Sequence, residues 1–306
     1  MSGICTCATG SLRGRRKNIF FIDPIYVKHN KIRSRPLITV TISTDTSMSN
    51  PLEIIAGFFF GLIVGSFLNV CICRLPENLS IVKPASRCPR CETPISFYDN
   101  IPVLSYLWLK GQCRNCREPI GMRYPAVELL TGLLTALCVF RFGVSAAAAV
   151  YFVFAASLIV ITFIDIDHRI IPDVISLPGI PLFFAGSFLL PAVTPLESLI
   201  GILAGGGSLF LVAWVYYLLT GNEGMGGGDI KLLAMIGAVV GWQGVILTIF
   251  AASVTGTVIG GAMMIASGKN MKLAVPFGPF LAIGALIHVF YGQELISWYL
   301  YGIRPF

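Results

Sequence analysis

Four carboxylates are set apart by their surroundings. Asp229 follows a run of glycines in GMGGGDIKLL and opens an apolar stretch, while Asp165, Asp167 and Asp173 lie together in FIDIDHRIIPD, where another apolar run stops. An ionisable group at the edge of a membrane span is costly enough that a function and a partner should be sought for it. Two carboxylates sharing a site cannot both ionise easily, so they hold one proton between them. The charged one can then activate water while the protonated one polarises a carbonyl. That combination hydrolyses a peptide bond without a metal or a covalent intermediate, and it points to a dyad of Asp229 with one of Asp165, Asp167 and Asp173. Residues two apart on a helix are separated by about 200°, so only one of Asp165 and Asp167 can face Asp229. Asp167, His168 and Asp173 are expected in the loop, with Pro172 breaking the helix and Asp173 capping the next.

Helix electrostatics divides the roles within such a dyad. Asp229 at a helix N-terminus is expected to be the anion and Asp165 at a C-terminus the proton carrier, with the pair titrating as a unit. The glycines Gly224, Gly226, Gly227 and Gly228 supply conformations closed to other residues and let a substrate backbone come close. GMGGGDIK lacks the Lys-Ser/Thr ending of a phosphate loop and follows an apolar helix pattern, not a strand, which argues against a phosphate cradle. The alternative from another functional class is a cation or metal transporter using the paired aspartates. Against it, aspartates on transport pathways lie near the bilayer midplane, whereas these sit at the ends of spans.

A second constellation is Cys88-Pro-Arg-Cys91 and Cys113-Arg-Asn-Cys116, two knuckles with 21 residues between them. In a reducing loop this pattern holds zinc. Four thiolates fill a tetrahedral ion and leave no position for water, so the metal is expected to be structural. The chain has only His29, His168 and His288, with no HExxH, which argues against a zinc protease. The other five cysteines are expected to be inert.

The elements that must position these groups are membrane helices. Hydrophobic residues make up 55% of the 306 and charged residues 12%, which places the chain in the membrane class. Eight apolar segments emerge at 52–73, 125–142, 146–164, 174–190, 197–219, 229–241, 243–267 and 277–292, each measured against the roughly 20 residues that a span needs. The fold class is therefore an all-α polytopic membrane protein with about eight transmembrane helices and a small cytoplasmic four-cysteine, zinc-ribbon-like loop. Residues 74–124 carry eight Lys/Arg and are cytoplasmic by the positive-inside rule. Counting spans from there places His168–Arg169, Lys231, Lys269–Lys272 and both Asp165 and Asp229 on that same side. Gly57, Gly61 and Gly65 in the first span, and Gly256 and Gly260 later, form small-residue repeats that let helices approach closely. No internal repeat is apparent.

Of the net charge of +7, +6 belongs to the first 47 residues, which hold eight Lys/Arg against two Asp. This tail is expected to be either a disordered basic arm for acidic headgroups or a segment upstream of a start at Met48. The domain reading is a basic tail over 1–50, a first span over 51–73, the zinc-binding loop over 74–124, and a transmembrane aspartyl protease core over 125–306. Glu77, Glu92, Asp99 and Glu118 in the loop are acidic groups that could attract a basic peptide.

GLIVGSFLNVCICRLP (61–76), ISFYDNIPVLSYLWLKGQC (95–113), RYPAVELLTG (123–132), FIDIDHRIIPD (163–173) and GGGDIKLLAMIGAVVG (226–241) occur in this order. Over residues 51–292 the chain thereby resembles the bifunctional prepilin leader peptidases/N-methyltransferases of type IV pilus and type II secretion systems. The resemblance implies a GxGD-type aspartyl protease of the bacterial inner membrane, with Gly226-x-Gly228-Asp229 as its motif and Asp165 as the second catalytic aspartate. It implies prepilin or pseudopilin substrates, cut after a glycine to remove a basic leader, and methylation of the new N-terminus with S-adenosylmethionine. The resemblance associates methylation with the loop over 74–124, including Gly111. Glu128, which matches the family motifs as do Gly65, Asn69, Arg74 and Pro76, is grouped with it. No soluble-type methyltransferase signature accompanies these residues, and nothing points to nucleic acid as a partner. The basic tail, Cys71 and Cys73 depart from the family's pattern.

Overall fold

The computed structural model describes residues 50–222, 226–267 and 276–302. The basic tail, Gly224, Lys269–Lys272 and Arg304 lie outside the described residues. The helices are α1 (Pro51–Arg74), α2 (Leu104–Trp108), α3 (Arg123–Phe142), α4 (Ala146–His168), α5 (Asp173–Gly186), α6 (Pro195–Thr220), α7 (Gly227–Ser267) and α8 (Gly278–Tyr301). Among the described residues no strand forms, and six helices are long and apolar enough to cross a membrane: α1, α3, α4, α6, α7 and α8. Of the eight segments expected, 174–190 forms the shorter α5, which contains Pro178 and Pro181. The segments at 229–241 and 243–267 form one element whose backbone turns at Gly241, with φ 66° and ψ −178°.

Helix ends follow local chemistry. Asn50 caps α1 by accepting from the Leu52 N–H, and Pro51 takes the first helical position, where its missing N–H costs nothing. Ser145 caps α4, and Thr194 and Glu197 form a reciprocal capping box on α6. The chain leaves α3, α4 and α6 through left-handed residues, Gly143, Arg169 and Gly221. In a bilayer, packing of helix on helix gains little from hydrophobicity and depends on close approach. Gly61 and Gly65 achieve it against α3: a Cβ on either would lie 2.8 Å from the Cα of Gly132 or 2.7 Å from that of Glu128. A tighter crossing joins α6 to α7, where Gly201 and Gly237 each meet the other's backbone and Gly205 meets the Leu233 carbonyl. The Gly256–Gly260 repeat does not make such a crossing: Gly256 has ordinary contact with Phe280 and Gly260 has open space.

The resulting core has two parts. The larger runs through α4, α7 and α8 and includes Phe154, Leu158, Leu232, Met235, Ile236 and Leu281. The smaller gathers Ile72 of α1, Val127 of α3 and Ile164 of α4. Consecutive residues 232–240 of α7 are all buried, as expected of a helix surrounded by others. The first turn of that helix carries Asp229.

Candidate functional site

Asp165 lies in the last turn of α4 with 5% of its surface exposed. Its Oδ2 accepts a hydrogen bond from the backbone N–H of Gly278, 3.0 Å away at the start of α8. Asp229, half-buried in the first turn of α7, is near enough for the charge of Asp165 to act on it. Three helix ends, one C-terminal and two N-terminal, thus converge on a pair of carboxylates. Gly278 has no room for a side chain, since a Cβ there would lie 2.6 Å from Asp165 Oδ2. The sequence reading missed this residue. The usable signal was the Gly278-Pro279 pair opening an apolar run, a helix-start signature that says nothing by itself about what the free N–H holds.

The same contact revises the expected division of charge. The dipole argument considered only α4, whose C-terminus disfavours an anion, but Asp165 also receives the N-terminus and an N–H of α8, and both favour one. Helix electrostatics therefore no longer separates the two aspartates, and their mutual repulsion keeps one proton on the pair without choosing its carrier.

Asp167 does not share the site. It continues α4 and pairs with Arg123 at the start of α3, facing away from Asp165 as two-residue spacing requires. His168 is also helical, so the loop expected from Asp167 onward begins only at Arg169. Asp173 makes no cap hydrogen bond on α5; both its oxygens accept from Lys231 Nζ at 2.8 Å. That pair joins the loop after Asp165 to the turn holding Asp229.

Neither Gly227 nor Gly228 has a positive φ, so the backbone freedom expected of them is not what they supply. A Cβ on Gly228 would approach the Ile171 Cβ to 2.9 Å, whereas Gly226 and Gly227 face open space. Gly228 lets α7 close on the loop that follows Asp165. Its two predecessors leave the approach to Asp229 uncrowded.

The cysteine loop is a separate construction. The Sγ atoms of Cys88, Cys91, Cys113 and Cys116 all lie within 4.8 Å of one another, with Cys88 to Cys116 at 3.7 Å and Cys91 to Cys113 at 4.0 Å. Four sulfurs around a tetrahedral zinc, each at about 2.3 Å from it, are about 3.8 Å apart, so the set fits that ion. None of the four is in a disulfide. Hydrogen bonds from Thr93 hold the Cys91 thiol below its ordinary range, at about 6. At Cys116, against a backbone hydrogen bond at Glu118 that lowers it, desolvation and the neighbouring cysteines push the thiol up to about 12. Without a metal the four sulfurs thus compete for charge, and Cys91 is the first thiolate. The two knuckles repeat one another, a small internal repeat that the sequence reading did not find. Cys88 N–H donates to Thr93 O and Cys113 N–H to Glu118 O, at 3.0 and 2.8 Å, and Glu92 and Arg117 both take left-handed φ, at 54° and 57°.

Of the acidic loop residues, Asp99 and Glu118 are already occupied. Arg114 binds Asp99 at 2.6 Å and holds its carboxyl below the usual range, and Arg90 pairs with Glu118. The motif residues also gain positions. Arg74 binds the Ser80 and Pro84 carbonyls at 2.9 and 2.7 Å, anchoring the chain that leaves α1. Asn69 donates to Tyr124 O at 3.0 Å, and Glu128 Oε2 accepts from the Val103 N–H at 2.8 Å. Gly111 has φ +68°, and a Cβ there would lie 2.9 Å from the Tyr106 hydroxyl. Between this loop and the ends of α1 and α3 lies a cavity of about 610 Å³ that includes Asn69, Tyr106, Tyr124 and Glu128 in its wall.

The fold and these groups define a helical membrane protein with an aspartate pair at converging helix ends and a four-cysteine loop. Residues 59–142 match the bacterial peptidase A24 N-terminal domain, and residues 152–261 match the type IV leader peptidase family. A prepilin leader peptidase/N-methyltransferase of Aeromonas salmonicida (strain A449) is 38% identical over 275 residues, covering 79% of this chain and 92% of that protein. One from Pseudomonas aeruginosa is 38% identical over 281 residues, covering 84% and 97%. The corresponding Myxococcus xanthus protein is 41% identical over 219 residues, covering 72% and 65%. No solved structure matches. The chain belongs to the type IV leader peptidase family. The cation-transporter alternative finds no support among these relatives.

Proposed function

We propose that this chain is an aspartyl endopeptidase of the bacterial inner membrane that removes the basic leader of type IV prepilins or pseudopilins after a glycine and methylates the new N-terminus. The observation that carries the peptidase reading is the convergence of Asp165 and Asp229 at the ends of α4 and α7, with Gly278 N–H on Asp165. The relatives' names supply the substrate class and the second activity.

In this reading one proton resides on the pair. The ionised carboxylate takes a proton from water as its oxygen bonds to the scissile carbonyl carbon, and the protonated one donates to the carbonyl oxygen. Breaking the C–N bond then returns a proton to the leaving amine. Gly226 and Gly227 leave space for a substrate backbone beside Asp229, and Gly228 keeps α7 against Ile171. A prepilin is an apolar helix with a basic leader, so diffusion within the bilayer delivers its cut site to helix ends at the membrane surface. The excess of Lys and Arg in residues 74–124 supports a cytoplasmic orientation for the loop and the dyad. Cys88, Cys91, Cys113 and Cys116 are assigned a structural zinc, and S-adenosylmethionine is assigned as methyl donor, with Gly111 and Glu128 in the methylating region.

The test is incubation of the purified chain with a synthetic prepilin-like peptide, with and without S-adenosylmethionine. The expected result is cleavage in both cases and a mass gain of one methyl only with the donor. Asp165→Asn and Asp229→Asn should each lower cleavage by roughly 10²–10⁴ while retaining zinc and thermal stability. Processing that survives either substitution overturns the dyad.

A further inference from the structure

We propose that the cavity between the cysteine loop and the ends of α1 and α3 binds the methyl donor, an adenine nucleoside bearing a sulfonium cation, and that Glu128 pairs with its positive charge. The proposal rests on the methyltransferase reading above and assigns that activity a place. At about 610 Å³ the cavity lies in the range of small-molecule sites, roughly 300–1,000 Å³.

Its wall has features that packing alone does not explain. Glu128 is 9% exposed and accepts from the Val103 N–H and from Ser66, but among the described residues no Lys or Arg forms an ion pair with it. A buried carboxylate without a counter-ion is costly, and a bound cation would supply one. Val103 is itself strained: φ 59° and ψ −47°, with Leu104 N–H on Pro102 O at 2.6 Å, describe the rare γ-turn with positive φ. A β-branched residue in that conformation is an outlier that persists only where its surroundings enforce it, and here the enforced N–H points to Glu128.

Asn69 adds a second unmet demand. It is 4% exposed, its amide nitrogen is committed to Tyr124 O, and its Oδ1 has no partner. Buried acceptors are rarely left so; a small adjustment toward the cavity would let it accept from an adenine amino group or a ribose hydroxyl. Tyr106 and Tyr124 offer flat aromatic surface in the same wall. Gly111, whose lack of a side chain makes room for the Tyr106 ring, becomes a positioning residue for this cavity. The location also suits a two-step enzyme. Val127 and Ile164, the chain neighbours of Glu128 and Asp165, pack in one cluster with Ile72, so a new N-terminus could pass from the dyad to the methyl donor along the same membrane face.

The experiment is equilibrium binding of tritiated S-adenosylmethionine, the cationic analogue sinefungin and the uncharged-sulfur product S-adenosylhomocysteine to the full chain in nanodiscs. Glu128→Gln keeps an acceptor for the Val103 N–H. It should weaken both cations roughly tenfold, the loss of one charge-assisted contact, and leave the product's affinity nearly unchanged. Ser86→Trp, which fills the cavity from the loop side, should abolish binding of all three, with retained zinc showing that the loop is folded. Wild-type affinity for the cations in both variants overturns the cavity assignment while leaving the methyltransferase reading intact. A wild-type chain that neither binds nor transfers the methyl group defeats that reading, and the cavity assignment with it.

Discussion

The aspartate pair and the cysteine loop are held in place by different physics. The pair has no cross-link of its own: Asp165 and Asp229 meet because α4, α7 and α8 are packed, and Gly228 and Gly278 remove the side chains that would keep those helices apart. The loop has little core to rely on; most of residues 74–124 are exposed. Its two knuckles come together through four sulfurs and a few ion pairs. A site made of helix ends inherits the rigidity of the bundle, whereas a small polar loop needs a staple. The two should therefore fail independently.

The largest effect should come from removing the staple. Structural zinc in small domains is bound with about 10–16 kcal/mol; if the four sulfurs hold the proposed zinc, Cys88→Ser should forfeit most of that, releasing the metal and unfolding residues 88–116. Hydrogen exchange would show protection lost there and retained over 158–168 and 229–240. Equal loss of protection in α4 and α7 would break the comparison by making the loop part of the bundle's stability.

Next come the two glycines at the dyad. Gly278→Ala places a methyl group 2.6 Å from Asp165 Oδ2, so the carboxylate or the start of α8 must move. A displacement of about 1 Å in a catalytic group can cost roughly 100-fold in rate. Cleavage should fall by that order, while zinc content and donor binding are unchanged. Unaltered cleavage would remove Gly278 from the positioning of Asp165.

Gly228→Ala tests the other side and should be milder. Its new methyl would meet the Ile171 Cβ at 2.9 Å, an overpacking conflict of about 1–3 kcal/mol, and Ile171→Ala should relieve part of it. Recovery of cleavage in the double variant, measured against both single ones, would identify crowding as the cause. If Ile171→Ala gives no recovery, Gly228 serves the substrate and not the packing.

What could be read in the sequence differs between the regions for a physical reason. Long apolar runs and an ionisable residue at their edge are local signals, so the helical class and the candidate aspartates were visible without a structure, while the span count was too high by two among the described residues and the residues alone left Asp165, Asp167 and Asp173 as alternatives. CxxC spacing is local too, and it revealed the sulfur cluster. The partners of these groups were not visible. Gly278 is 113 positions from Asp165, and nothing in PFGPF announces that its N–H will reach a carboxylate. Asp173 looked like a helix cap because capping is decided by neighbours in sequence, but Lys231, 58 positions away, outcompeted the local backbone. The small-residue repeats behaved alike: Gly61 and Gly65 faced α3 and formed a crossing, while Gly260 carried the same spacing and faced open space. Periodicity identifies a face but not what lies opposite. The repeated knuckle fold did leave a trace, Cys-x-x-Cys-x-x-Pro-Ile at 88–95 and again at 113–120, with Pro94 and Pro119 bridged to Arg87 and Gln112, but eight residues with four in common are too short to stand out as a repeat.

The smallest expected effect concerns Lys231, which bridges the two aspartate-bearing elements through Asp173. Its side chain is 36% exposed and that of Asp173 55%, and ion pairs this accessible contribute about 0–1 kcal/mol. Lys231→Met should thus shift thermal unfolding little. The pair ties the loop after Asp165 to the first turn of α7, however, so its loss should loosen the dyad more than the fold. Cleavage should drop severalfold in a way that depends on ionic strength: high salt, which screens the wild-type pair, should bring the wild type toward the variant. If the two respond identically to salt, Lys231 and Asp173 are surface decoration, and the dyad's geometry is set by Gly228 and Gly278 alone.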